Sequence, residues 1–378
     1  MLFQYVKMLA EIQAGGHVRD CVITIPSWFT YDQRLMIKDA AEQLANLNVL
    51  QLVHENTAAA VMFGIDQKIE HEKNLTVLFY NMGAMDTEVQ ITRYSMFNIS
   101  EKKSSPYIHI LSEAWDRELG SQDLDVIIVN ILAEKFNAMP ERAGKTDVRE
   151  NYRAVRRLFK DAVKIKEILS ANKFASVKIP ELLDYVTLKF NLERTEVEAA
   201  GEAYFARVKT PITSALEQAG LTMDDIDQVE ILGGGVRTPK TLEHMELALG
   251  RKDLSTHLNG DEAMCFGSAF IASNSSSAYK VKHVFLTQNP KYDVHVKITA
   301  LNEEDALSED EQKLLGAEED EIIKYTQEFR LFNTTDYIGK SKGLSLNYDK
   351  DMKIELFSAV GDGEKTLIDT FIIDNIAK

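Results

Sequence analysis

Short β-branched runs alternate with capped helical segments over residues 1–272, and that alternation limits this part of the chain to an α/β layered architecture with ligand sites at strand ends. VITIP (22–26) reads as a buried strand closed by Pro26. Thr30-x-x-Gln33 is a capping box, and Met36, Ala40, Leu44 and Leu47 keep helical spacing up to about Asn48, where VLQLV begins a second strand. TVLFY (76–80), a turn at Asn81–Asp86 and the alternating Glu88–Tyr94 stretch have hairpin grammar. The spacing predicts helices over 121–137 and 147–170, a helix capped by Thr195 and Glu198 and ending near Gly220, a strand at VEIL (229–232), and a helix opened by Pro239 and closed by Gly250. The first residues, MLFQYVKMLAEIQAGG, also repeat as a helix rather than as an export signal.

After ASNSSSA (272–278) the period changes from helical to two. Tyr292, Val294, Val296 and Ile298 alternate with polar residues, as do Met352, Ile354 and Leu356, so a linker over 273–280 and a small antiparallel β domain over 281–378 are expected. Residues 303–321 carry ten acids against one Lys, within a stretch (302–328) that reads as a self-repelling acidic loop. No repeat at a fixed period is present.

Composition narrows the function classes. Lys+Arg 43 against Asp+Glu 59 gives a net charge of −16, which argues against a general binder of nucleic acid or anionic membrane, and no apolar stretch has the roughly 20 residues of a membrane span. Only Cys21 and Cys265 are present, far apart, so neither a disulfide framework nor a metal knuckle can be drawn. Chemistry is expected instead at two turns. Asn81-Met82-Gly83-Ala84-Met85-Asp86 lies between strands, and Gly233-Gly234-Gly235-Val236-Arg237 lies between a strand and a helix. Glycines there let the backbone approach a phosphate or sugar, although an ordinary tight turn uses the same residues.

Five segments in order carry a resemblance: VITIPSWFTYDQRLMIKDAAEQLANLNVLQLVHENTAAA, VLFYNMGAMDTEV, ENYRAVRRLFKDAVKIKEILSAN, EILGGGVRTPK and LNGDEAMCFGSAFIA. Together they resemble the nucleotide-binding domain of the seventy-kilodalton heat-shock protein family. HENTAAA, LFYNMG, DVRENYRAV, LSAN and YKVKHVFL are more similar to its large endoplasmic-reticulum branch, the glucose-regulated or hypoxia up-regulated chaperones. The resemblance implies an actin-like (ribonuclease H-like) ATPase domain followed by an antiparallel β-sandwich that holds unfolded peptide. Only part of the first lobe is expected, without the family's first phosphate loop and catalytic lysine.

Carried over position by position, the resemblance implies that Lys166 and Ser170 hold the adenosine, that Gly233, Gly234 and Arg237 form the adenine and ribose loop, and that Asp261 closes the pocket. Lys166 and Ser170, four apart, share a helix face, and an arginine offers a flat cation for stacking. Val163 stands where the family has Glu. Gly83 and Gly120 match phosphate-side glycines, with Ser121 in place of a second one after Gly120. Glu55 keeps the acid of the interlobe hinge. The rest of the phosphate side departs: Asn81 replaces the catalytic Asp, Ala84 and Met85 replace glycines, Asp86 replaces a Thr whose hydroxyl meets phosphate, and Glu88 replaces an Asp. An amide neither takes a proton nor binds Mg²⁺ as a carboxylate does.

The resulting expectation is a chaperone or co-chaperone of the endoplasmic-reticulum lumen that binds ATP or ADP with Mg²⁺ and hydrolyses poorly. Its expected partners are unfolded polypeptide clients, a lumenal chaperone of the same family and J-domain proteins. Four sequons, at Asn74, Asn98, Asn274 and Asn333, are compatible with the lumen. A nucleotide-independent holdase, with a cytoplasmic location as the alternative compartment, is the competing reading; a small-molecule kinase on the actin-like fold fits less well, because the β domain has no place in it.

Overall fold

A computed structural model describes residues 1–67, 73–100, 103–275, 281, 284–288, 290, 292–301, 326–333, 336, 341–344, 350–359, 363 and 365–374. Contacts divide the chain into two compact units, Met1–Leu286 and Thr287–Lys378. The expected acidic loop falls almost wholly outside the described residues, as does 276–280 of the expected linker; 273–275 belong to the last helix of the first unit.

The first unit opens with helix α1 (Leu2–Ala14), strand β1 (Asp20–Ile25), helix α2 (Tyr31–Asp39), strand β2 (Asn48–His54) and helix α3 (Glu55–Asp66). β1 and β2 pair in parallel, Cys21 with Val49 and Ile25 with His54, which is the strand–helix–strand unit read from the sequence. Thr30 and Gln33 form the capping box. α2 stops at Asp39, earlier than the spacing suggests, and gives way to one wider turn over Ala40–Leu44. That turn keeps Ala41 buried while letting the chain descend into β2.

Strands β3 (Leu75–Met82), β4 (Thr87–Ser100) and β5 (Lys103–Asp116) form an antiparallel meander. Helices α4 (Ser121–Asn137) and α5 (Tyr152–Ala171), hairpin β6 (Phe174–Leu183) with β7 (Val186–Glu193), and helices α6 (Arg194–Ala200), α7 (Glu202–Ala206) and α8 (Lys209–Ala219) follow. Strand β8 (Gln228–Leu232), helix α9 (Pro239–Leu249), the short strand β9 (Leu254–Ser255), helix α10 (Ala263–Ser275) and strand β10 (Phe285–Gln288) complete the series. The main sheet runs β10-β5-β4-β3-β8-β9, with β3 and β8 parallel. Period-two alternation sends Leu78 and Tyr80 of β3 into one core with α4, α5 and α8, and Val77 and Phe79 into a second core with α3 and α10. β3 is therefore buried on both faces.

Two helix readings need correction. The helix expected from 147 begins at Tyr152, because Asn151 accepts the Ala154 N–H and residues 148–150 form a separate short turn capped by Asp147. The single helix expected between Thr195 and Gly220 is three, broken at Gly201 and Arg207–Val208. Its cap lies at Glu193, whose N–H donates to Glu196 rather than involving Thr195 and Glu198.

In the second unit, strands β11 (Asp293–Ala300), β12 (Thr326–Phe332), β13 (Met352–Ala359) and β14 (Thr366–Ile373) make one antiparallel sheet in the order β12-β11-β13-β14. Val296, Ile298 and Met352 are its buried centre, with Phe329, Leu331, Ile354 and Leu356 packed around them. The antiparallel grammar is present; a second layer that would make a sandwich is not among the described residues. No helix among the described residues is long and apolar enough to cross a membrane.

Candidate functional site

The two glycine turns lie at the adjacent carboxyl ends of β3 and β8, where Asn81 faces Leu232 in register. Gly233 has φ +83°, and a Cβ there would lie 2.2 Å from the Met82 carbonyl oxygen, so only glycine lets the second turn pass over the first. The turn at 83–86 is closed by the Gly83 N–H donating to the Asp86 carbonyl at 3.0 Å. The N-terminus of α4 docks on it: Ser121 and Gln122 donate their N–H groups to the Gly83 and Ala84 carbonyls at 3.0 and 2.9 Å. A side chain at Gly120 would overlap Ala84 at 2.2 Å. The helix end that could have received a phosphate thus spends these donors on the turn.

Beside the turns is a narrow cleft with a free volume of about 20 Å³. Leu124 and Ile128 of α4, Lys166, Leu169 and Ser170 of α5, Arg194, Val197 and Glu198 of α6, Phe205, and Thr238 with Pro239 line it. Lys166 and Ser170 meet there because they are one helical turn apart, and Thr238–Pro239 arrives because the Gly233–Gly235 bend turns the chain back. The Lys166 ammonium donates to the Ser121 carbonyl at 2.9 Å and to the Asp125 carboxylate at 2.8 Å. Burial pushes the Asp125 carboxyl up, and the Lys166 hydrogen bond opposes that push. The Ser170 hydroxyl is turned back on the Glu167 carbonyl, and Arg194 donates to the Leu169 carbonyl at 2.7 Å, tying α6 to α5. The Arg237 side chain is exposed and has no hydrogen-bond or ion-pair partner among the described residues, and Asp261 is exposed in the Gly260 turn against Gly233; neither lines the cleft. Val163 is also exposed.

The phosphate side is acidic and internally bonded. Glu88 is only 2 % exposed; one carboxyl oxygen accepts the Ser27 N–H at 2.7 Å and the other has no hydrogen-bond partner among the described residues. Desolvation first, then the neighbouring Glu55, push its pKa up to about 8, with Asp86 and Glu113 adding to the rise. Its surroundings therefore favour the protonated, neutral form of Glu88. Glu55 is raised as well, by burial and then by Asp86, while the Asn81 amide donates to it at 3.2 Å. Asp86 accepts the Trp28 indole N–H at 2.6 Å, and the Arg117 guanidinium carbon lies 4.3 Å from the Trp28 ring centroid. Glu113 meets His54 Nδ1 at 2.8 Å, and His54 Nε2 lies 2.9 Å from Arg34.

On the phosphate side these groups offer little to a metal-bridged polyphosphate. Asn81 has no carboxylate to offer a cation, Glu88 holds its proton, and Asp86 is engaged by Trp28. No cluster of three or more His, Cys, Asp or Glu able to hold a metal ion occurs among the described residues. A phosphate oxygen about 4 Å from the Asp86 carboxylate would meet a repulsion on the order of 4 kcal/mol at an effective dielectric of 20.

Gly83, Gly120, Gly233 and Gly234 are thus placed at one set of strand ends, with Glu55, Asn81, Asp86 and Glu88 beside them and Lys166 and Ser170 in the adjoining cleft. The sequence reading missed Trp28, the His54–Glu113 pair and Arg194. His54 and Glu113 are 59 residues apart, and nothing local links them. Trp28 alone carried a visible sign, an aromatic pair just past a strand end.

The mixed sheet, its flanking helices and the glycine bends at its strand ends define the ATPase-domain fold of the Hsp70 class. The Hsp70 protein family model matches residues 1–315, and the chain belongs to that family. Among its relatives, Hypoxia up-regulated protein 1 of Xenopus laevis is 35% identical over 306 residues, 81% of this chain and 47% of the relative. The proteins of the same name from Danio rerio and Homo sapiens are each 33% identical over the same 81% of this chain, which covers 31% and 30% of their lengths. The chain therefore spans less than half of each of these relatives.

Proposed function

We propose that this chain is the nucleoside-responsive part of a chaperone or co-chaperone of the endoplasmic-reticulum lumen, with extended or unfolded polypeptide as client and a lumenal chaperone of the same family and J-domain proteins as partners. The observation that carries this reading is the cleft in which Lys166 and Ser170 meet the segment leaving the triple-glycine bend. Kinship with Hypoxia up-regulated protein 1 and the lumenal features of the sequence support the compartment. Arg237 and Asp261 would join the site when a base fills the cleft: Arg237 is free to swing over it, being one residue from Thr238. In this reading hydrolysis is weak, because Asn81 cannot act as a base and Glu88 keeps its proton.

Thermal unfolding tests the proposal. ADP or ATP with Mg²⁺ is expected to raise Tm in a concentration-dependent way, because a ligand that binds only the folded state stabilises it by mass action. Arg237→Ala is expected to reduce that shift. Steady-state phosphate release should stay near background.

A second reading, a holdase that needs no nucleotide, is favoured by the internal bonding of the phosphate side, where Trp28 holds Asp86 and Asn81 holds Glu55. It predicts that the chain suppresses aggregation of an unfolded client equally well with and without nucleotide, with no ligand-dependent change in Tm.

A further inference from the structure

Helix α5 breaks a charge rule that this chain has ample means to keep. The molecule carries 59 acids against 43 bases, yet Arg153, Arg156, Lys160 and Lys164 follow one another at steps of three and four along α5. All four are exposed, on the side of the helix away from its buried residues Leu158, Ala162 and Ile165. Arg156 with Lys160, Lys160 with Lys164, and Arg153 with Arg157 are like charges four apart, which weakens a helix where an acid and a base at that spacing would strengthen it.

The neighbouring cations are engaged within the fold. Arg157 donates to the Glu181 carbonyl at 2.6 Å, Arg149 to Asp147 at 2.8 Å and Lys166 to Asp125 at 2.8 Å. Arg153, Arg156 and Lys160 have no hydrogen-bond or ion-pair partner among the described residues, and Lys164, 62 % exposed, reaches Asp161 only at 3.9 Å. A local rule broken on an exposed face without a compensating contact is the mark of a surface kept for a ligand. The stripe is about 16 Å long, with steps of about 6 Å between Arg156, Lys160 and Lys164. An extended polypeptide returns to one side about every 7 Å, so alternate Asp or Glu residues set their carboxylates against these cations. Exposed Tyr152, whose ring centroid lies 5.9 Å from the Arg156 guanidinium carbon, and exposed Val163 add an apolar margin that a polypeptide can cover. A long polyanion such as nucleic acid would run past the stripe, where Glu150 and Glu167 are exposed at its two ends, on to a molecule of net charge −16.

We propose that the outward face of α5, formed by Arg153, Arg156, Lys160 and Lys164, is a docking surface for a short acidic polypeptide segment of a partner protein.

Fluorescence anisotropy of a labelled peptide of six Glu-Ala repeats, titrated with the full chain, provides the test. Saturable binding is expected at about 50 mM salt, weakening at least fivefold at about 200 mM. Arg153→Gln with Lys160→Gln should weaken it at least tenfold. Lys160→Glu should abolish it without lowering Tm, because the new carboxylate gains Arg156 and Lys164 four residues to either side. Replacing Lys178 and Lys189, exposed cations that face each other across β6 and β7, by Gln should leave binding unchanged. Equal binding of a Gln-Ala repeat peptide, an affinity that survives Lys160→Glu, or tighter binding of single-stranded DNA of matched length overturns the inference.

Discussion

The cleft side and the phosphate side of the candidate site are built on the same strand ends and solve opposite problems. On the cleft side, apolar groups from α4, α5 and α6 leave a narrow space, and the ion pair beside it, Lys166 with Asp125, is matched in charge. On the phosphate side, carboxyl groups face one another, and their repulsion is relieved by a retained proton on Glu88, an amide at Asn81 and an indole at Trp28. The difference shows that a strand-end turn is a binding site only while its donors remain unspent. Where the chain satisfies its own polar groups, a ligand must displace them, and the net gain from each hydrogen bond becomes small.

The comparison can be broken most severely where both halves share a backbone. Gly233→Ala forces a side chain into a left-handed conformation and against the Met82 carbonyl, so a loss of about 4 kcal/mol is expected, read by urea denaturation. Glu88→Gln separates the halves by pH. With a folded pKa of about 8 above the ordinary 4.5, the native state binds more protons between those values, so stability falls as pH rises through that window. The amide keeps the acceptor for Ser27 and removes the titration; the variant should be more stable than the parent by about 4 kcal/mol at pH 8.5, with little difference at pH 4.5, measured by thermal unfolding across pH. Asn81→Asp takes an N–H donor from Glu55 and adds a charge, and a fall in Tm of about 4 °C without Mg²⁺, partly restored by Mg²⁺, is expected. The smallest effect belongs to the cleft: Ser170→Ala removes only a hydroxyl bonded to its own helix, so stability should change by less than about 0.5 kcal/mol while adenosine affinity drops severalfold. Unchanged affinity would remove Ser170 from the site.

Much of the fold was legible because its signals are local. The Thr30 capping box, Pro239 at a helix start and the hairpin alternation around Asn81–Asp86 each act within a few residues, and the structure shows all three. Helix ends were less legible where two signals competed: Asn151 outbids earlier residues as the cap of α5, and Gly201 interrupts a spacing that otherwise continues. Within the site, residue types declared the loss of a carboxylate at Asn81. They did not declare that Asp86 would meet Trp28, 58 residues earlier, or that Glu88 would be buried enough to keep its proton. Those properties arise only when β1 and α2 are set against the sheet, and no window along the chain contains both partners.

The link from Lys166 through Ser121 to Gly83 gives the molecule a mechanical consequence. Ser121 offers its carbonyl to the cleft and its N–H to the 83–86 turn, so the first residue of α4 is held between the two.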